Sequence, residues 1–90
     1  MSPLDNMDIA DEIRDLIRRQ APSGWTREEL VDELPLGKKG VGLDSLATIE
    51  LVLACEAKFG IEFSEEFLNR GSNTIGALIS EARMLIGARR

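Results

Sequence analysis

The chain has 90 residues, the size of one small domain, which on folding buries roughly 60–65% of its unfolded surface and leaves little room for a deep catalytic cleft. Hydrophobic residues make up 43% and charged residues 30%, both globular values; His and Tyr are absent and Cys55 is the single cysteine. These counts exclude His-based acid–base catalysis, Ser-His and Cys-His nucleophile pairs, His/Cys zinc sites and an intrachain disulfide, so the chain is not expected to be an enzyme.

Sixteen acids against eleven bases give a net charge of −5. All of that excess falls between Leu43 and Glu66, where Asp44, Glu50, Glu56, Glu62, Glu65 and Glu66 meet one base, Lys58. Such a region repels nucleic-acid phosphates and anionic lipid surfaces and attracts basic protein partners. A solvated acidic surface is the plainer alternative. The N-terminus is polar and acidic, unlike a signal peptide, and the longest apolar stretch, Leu51 to Cys55, is far too short to span a membrane. A cytoplasmic protein with no membrane span and no nucleic-acid partner is expected.

In chain order, Ile9, Ile13, Leu16 and Ile17 line one face of a helix over about 5–20, with Arg18 and Arg19 at the end the helix dipole favours. Thr26-Arg27-Glu28-Glu29 has capping-box spacing and predicts a short helical turn through about Glu33. Leu34 to Gly42 holds three glycines and a proline and reads as loop, part of a long connection over 21–43. A second helix follows from Asp44 or Ser45 to Phe59, with Gly60 as a left-handed cap. Leu46, Ile49, Val52, Leu53, Cys55 and Phe59 form its apolar arc, and Ala47, Glu50, Ala54, Ala57 and Lys58 the opposite face. Ser64 caps a short helix over 65–69. Thr74 caps the last helix, 74–87, with Ile75, Leu78, Ile79, Ala82, Leu85 and Ile86 at helical spacing. The fold class is all-α: a small antiparallel bundle of three main helices and one or two short ones, forming a single domain over 1–90. Its expected core includes Leu46, Ile49, Leu53, Phe59, Ile61, Phe63, Leu68, Ile75 and Ile79. Cys55 reads as a small core hydrophobe, and Trp25 as the residue that packs the long loop onto the bundle.

The chemically distinctive segment is Val41-Gly42-Leu43-Asp44-Ser45-Leu46, where a glycine-bearing loop enters an amphipathic helix. A Ser at a helix N-terminus is ordinarily a cap. No base accompanies Ser45, so it is no self-activated nucleophile. It is alternatively a modification site, because an exposed hydroxyl at the positive end of a helix suits a phosphate-bearing group.

Gly42-Leu43-Asp44-Ser45-Leu46, followed by Ile49-Glu50-Leu51, Glu56, Phe59-Gly60-Ile61, Phe63 and Thr74-Ile75, resembles the acyl carrier protein family over about Asp5 to Ile86. The resemblance implies that Ser45 carries 4′-phosphopantetheine through a phosphodiester, transferred from coenzyme A by a separate Mg²⁺-dependent phosphopantetheinyl transferase with Asp44 assisting the metal. It implies that the terminal thiol holds an acyl group as a thioester. The protein would present that group to acyl-loading, condensing or acyl-transferring enzymes of fatty-acid, polyketide or specialised biosynthesis. In this family the second helix meets basic patches on partners, which points to Leu46, Ala47, Glu50, Ala54 and Glu56 here. The chain departs from the family in having Ala47 where an acid is frequent and Ala57-Lys58 where acids are common, so its acidic face is sparse. Lys38 and Lys39 would steer the coenzyme's phosphates, with a solvated turn as the plainer reading of Gly37-Lys38-Lys39-Gly40. A free-standing, monomeric carrier is expected. The alternatives are a peptidyl or aminoacyl carrier, and a carrier-like interaction module whose Ser45 is only a cap.

Overall fold

The computed structural model describes residues 6–22, 24–70 and 73–88. They form an all-α fold in the expected order: α1 (Asn6–Gln20), a single 3-10 turn (Arg27–Glu29), α2 (Ser45–Phe59), α3 (Glu65–Leu68) and α4 (Ile75–Ala88). The first residue of the predicted α1, Asp5, lies outside the described residues. Each element after α1 begins where a side chain can satisfy the free backbone donors of a helix start. Thr26 and Glu29 close a reciprocal capping box, Ser64 accepts the Phe67 N–H at 3.1 Å, and Thr74 accepts the Ala77 N–H at 3.1 Å. Gly60, at φ 66°, ends α2 in the left-handed conformation that glycine adopts without strain.

The core is aliphatic and gathers around α1, which packs on both α2 and α4. Ile9, Ile13, Leu16 and Ile17 are buried, as their spacing predicts, against Leu51, Cys55 and Phe59 of α2 and Ile75, Leu78, Ile79 and Ala82 of α4. Phe63 stacks on Phe67 at 5.4 Å and closes the bundle at α3, with the Arg70 guanidinium over the Phe67 ring. Surface charge ties the layers: Lys58 of α2 meets Glu12 of α1 at 3.4 Å, and Arg27 grips Asp15 through two N–H donors. The Arg27 guanidinium holds the Asp15 carboxyl below its ordinary pKa. Cys55 sits in the core as expected, and burial pushes its thiol up to about 12.

The face of α2 differs from the sequence-based expectation. Leu46, Ile49 and Leu53 are 65%, 55% and 57% exposed, and Leu68 of α3 is exposed as well. The side of α2 that enters the core carries Leu51, Val52, Cys55 and Phe59, and Ala47 and Ala54 are half-buried against it. The helix is apolar on both sides, so periodicity alone does not select the buried one. Glu50 flanks the Leu46 edge of the outer side and stays exposed, as an unpartnered carboxylate must.

The connection between α1 and α2, a loop by its composition, is largely built into the core, while Lys38 and Lys39 at its turn stay exposed. Leu30, Leu36, Val41 and Leu43 are all buried, and Trp25 and Leu34 pack against the core. Each fully buried aliphatic side chain contributes about 1.5–3 kcal/mol, so this connection is part of the core and not a tether. Backbone bonds stitch it to the start of α4: Leu36 N–H to Asn73 O, Ile75 N–H to Leu34 O and Gly76 N–H to Asp32 O, at 2.8–3.0 Å. Arg14 holds the other side, donating Nε–H to Leu30 O at 2.7 Å and pairing with Asp32.

Residues 35–43 then fold back as a tight hairpin, with Val41 N–H donating to Pro35 O, Gly42 N–H to Gly37 O and Leu43 N–H to Leu36 O. A side chain at Gly40 would place its Cβ 2.0 Å from Pro35 O, whereas one at Gly37 would meet nothing within 4 Å. Gly40→Ala is therefore expected to destabilise the protein by about 2–4 kcal/mol, and Gly37→Ala to change stability by no more than about 0.5 kcal/mol. Urea unfolding of the two variants checks this, and equal midpoints would show that the hairpin yields.

Candidate functional site

The hairpin delivers the chain to α2. Gly42, at φ 92°, makes a turn that a side chain would strain, and it lies beside Pro22, whose Cγ would be 3.7 Å from a Cβ at this position. Leu43 is then buried as an anchor, and Asp44 emerges in an extended conformation as the N-cap of α2. Its Oδ1 accepts the Ala47 N–H at 2.8 Å, while its carbonyl accepts both the Thr48 N–H and the Thr48 hydroxyl at 2.9 Å. The start of the helix is thus bound from both ends of one residue.

This removes the capping reading of Ser45. The capping duty that a helix-terminal Ser ordinarily has belongs to Asp44, and Ser45 is the first residue of the helix proper. The Ser45 side chain is exposed and its hydroxyl has no hydrogen-bond partner among the described residues. The first-turn N–H groups that Asp44 leaves unpaired point toward the same end, where the helix dipole is positive. An exposed, unengaged hydroxyl at that end fits esterification by a phosphate-bearing group. Such a group would meet no side chain that has to be displaced from a cap.

The residues singled out from the sequence separate into two sets. Leu46 and Glu50 stand exposed on α2 next to Ser45, together with Ile49 and Leu53, which sequence reasoning had assigned to the core. Ala47 and Ala54 face partly inward. Glu56 is half-buried and its Oε2 accepts the Phe63 N–H at 2.9 Å, fastening the chain that leaves Gly60. The outward α2 surface is consequently an aliphatic stripe at positions 46, 49 and 53, with one carboxylate, Glu50, flanking it.

Two open clefts, of about 430 and 300 Å³, lie along α1 on either side of Arg27 and are lined mainly by charged groups; Ser45 belongs to neither. Among the described residues no group of three or more Asp, Glu or Cys side chains could hold a metal ion, and no helix is long and apolar enough to cross a membrane.

The family of phosphopantetheine attachment sites matches residues 8–81. That span covers all four helices of the bundle from α1 into α4, the hairpin and the Asp44-Ser45 helix start. The chain belongs to the phosphopantetheine attachment-site family, whose domains are carriers of covalently attached 4′-phosphopantetheine.

Proposed function

We propose that Ser45 is the attachment residue and that the protein is an acyl carrier, not itself an enzyme. The observation that carries this reading is the division of labour at the start of α2: Asp44 caps the helix, and the Ser45 hydroxyl is left exposed and unengaged. When bound, phosphopantetheine supplies a terminal thiol that holds an acyl group as a thioester for successive enzymes of fatty-acid, polyketide or specialised biosynthesis. The chain's own part is to hold the Ser45 oxygen in the open on a fixed helix start and to present a surface to the enzymes that act on the arm. The resemblance of Gly42-Leu43-Asp44-Ser45-Leu46 to acyl carriers supports an acyl over a peptidyl cargo. A buried, unreactive Cys55 supports a chain whose only functional thiol is the one on its prosthetic group.

Asp44 has a second role in this reading. Oδ1 is occupied by the Ala47 N–H, and the exposed carboxylate retains an oxygen for a Mg²⁺ ion whose remaining ligands come from the transferase and coenzyme A. The partner face is the aliphatic stripe Leu46, Ile49 and Leu53 with Glu50. An enzyme that reaches an arm at Ser45 has to lie over this side of α2, so it offers an apolar groove with a single cation opposite Glu50.

Three outcomes test these statements. After incubation with coenzyme A, Mg²⁺ and a broad-specificity phosphopantetheinyl transferase, intact mass is expected to rise by one phosphopantetheine in the wild type and not at all in Ser45→Ala. No gain in a folded wild type would overturn the carrier reading. Asp44→Asn keeps a capping oxygen and should change stability by less than about 0.5 kcal/mol, whereas Asp44→Ala should cost about 1 kcal/mol. Both variants should slow the modification if the carboxylate assists the metal, and a normal rate in Asp44→Asn would remove that role. Leu46→Ala and Leu53→Ser should raise the KM for the carrier about tenfold with little change in the thermal midpoint, as truncation of a central apolar anchor does.

A further inference from the structure

The larger of the two clefts on α1, about 430 Å³, is lined by Asp15, Arg18, Arg19, Gly24, Trp25 and Arg27. Its walls are held by contacts made within them. Arg27 spends two N–H donors on Asp15, at 3.2 and 2.7 Å. Arg18 donates Nε–H to the Trp25 carbonyl at 2.9 Å and approaches Asp15 at 3.5 Å. Two groups of the cleft are left over. Arg19 is exposed and has no hydrogen bond or ion pair among the described residues. The indole N–H of Trp25 is covered and has no acceptor, although the residue as a whole is only half-buried. A covered donor without a partner is rare in a folded protein and marks a place where an acceptor is due.

Both leftover groups are donors, and the charge of the cleft has the same sense. Three guanidinium groups face one carboxylate there, a net charge of +2 in a chain whose own net charge is −5. A concave surface of one sign concentrates ligands of the other, and the planar guanidinium fork matches an oxyanion. A neutral ligand leaves that charge unanswered, and a cation is repelled. We propose that this cleft binds a dianionic phosphate, free or as the monoester of a small molecule. Arg19 is its main charge contact, with Arg18 beside it. The Trp25 N–H becomes a donor to it when the half-buried ring turns that edge into the cleft. Two negative charges balance the net +2, whereas a single carboxylate balances half of it. A volume of about 430 Å³ lies within the range of small-molecule pockets. Ser45 does not line this cleft, so the site is separate from the attachment residue and does not depend on it.

The test titrates the 90-residue chain with inorganic phosphate at constant ionic strength, chloride making up the balance, and follows the fluorescence of Trp25, the single tryptophan. A saturable change is expected, with half-saturation at about 1–10 mM, the range of a weak site. The Trp25 indole N–H resonance should move along the same curve. Arg19→Gln should weaken binding about fivefold, the size of one exposed charge contact, and Arg19→Lys should bring it back to within about twofold of wild type. Lys38→Gln removes a cation that does not line the cleft and should leave the curve unchanged. Phenyl phosphate separates the two sources of the group. Tighter binding than inorganic phosphate assigns the cleft to a phosphorylated small molecule, and equal or weaker binding assigns it to free phosphate. No saturable change in either signal would overturn the proposal, and so would a response that Arg19→Gln leaves intact. A response to a short glutamate peptide, with none to phosphate, would overturn it and make the cleft a dock for an acidic protein segment. Far-UV circular dichroism of the Arg19 variants, expected to match wild type, keeps a folding defect from imitating the loss.

Discussion

The hydrogen bond from the Ala47 N–H to the Asp44 carboxylate is the interaction on which the functional end of this protein depends. A helix start needs a cap, and an uncapped α2 would lose about 1 kcal/mol. Had Ser45 provided that cap, its hydroxyl would be tied to the backbone and any group attached to it would first have to break the helix start. Because the preceding residue does the capping, the exposed hydroxyl and the stabilising carboxylate are adjacent but separate. Asp44 also binds Thr48 through its carbonyl, so the geometry at Ser45 is held by three bonds, none of which involves Ser45's own side chain.

Asp44 in turn is placed by the segment before it. Leu36, Val41 and Leu43 are core residues, and the backbone bonds from 32–36 to 73–76 make the hairpin a bridge between the start of α4 and the start of α2. Arg14 extends the same bridge to α1 through Leu30 O and Asp32. A connection rich in glycine and proline has therefore become a rigid part of the bundle, because glycine permits the close approaches that let its four aliphatic side chains reach the core. The same glycines that look like flexibility in composition are, at Gly40 and Gly42, conditions for tight packing.

Helix α2 has two apolar sides with different uses. The inner side packs under α1 through Leu51, Val52, Cys55 and Phe59, and the outer side leaves Leu46, Ile49 and Leu53 in water. Exposing three aliphatic residues on one helix is unfavourable for a lone domain, and it concentrates them on the helix that Ser45 begins. With Glu50 alone flanking the stripe, this side of α2 is more apolar than the net charge of −5 suggests. The remaining acids serve elsewhere: Glu56 fastens the turn after Gly60, and Glu12 pairs with Lys58.

Local signals in the sequence were enough to determine the helices, the caps at Thr26, Ser64, Thr74 and Gly60, and the place of Ser45. Helix periodicity in α1 and α4, the Thr26–Glu29 box, Ser64, Thr74 and Gly60 each act over one turn, so they are legible without knowing what packs where. The family motif around Ser45 is likewise contiguous. Tertiary structure alone decided three things. It chose which side of α2 is buried, since Leu46 and Leu53 have the same hydrophobicity as Leu51 and only the fit under α1, with Glu50 kept in water, separates them. It gave the cap to Asp44 and freed Ser45, a choice between neighbours that depends on where the hairpin sets the chain down. It turned residues 30–43 into core, because the bonds that hold them go to Arg14 and to 73–76, partners sixteen to some forty residues away that no local pattern announces.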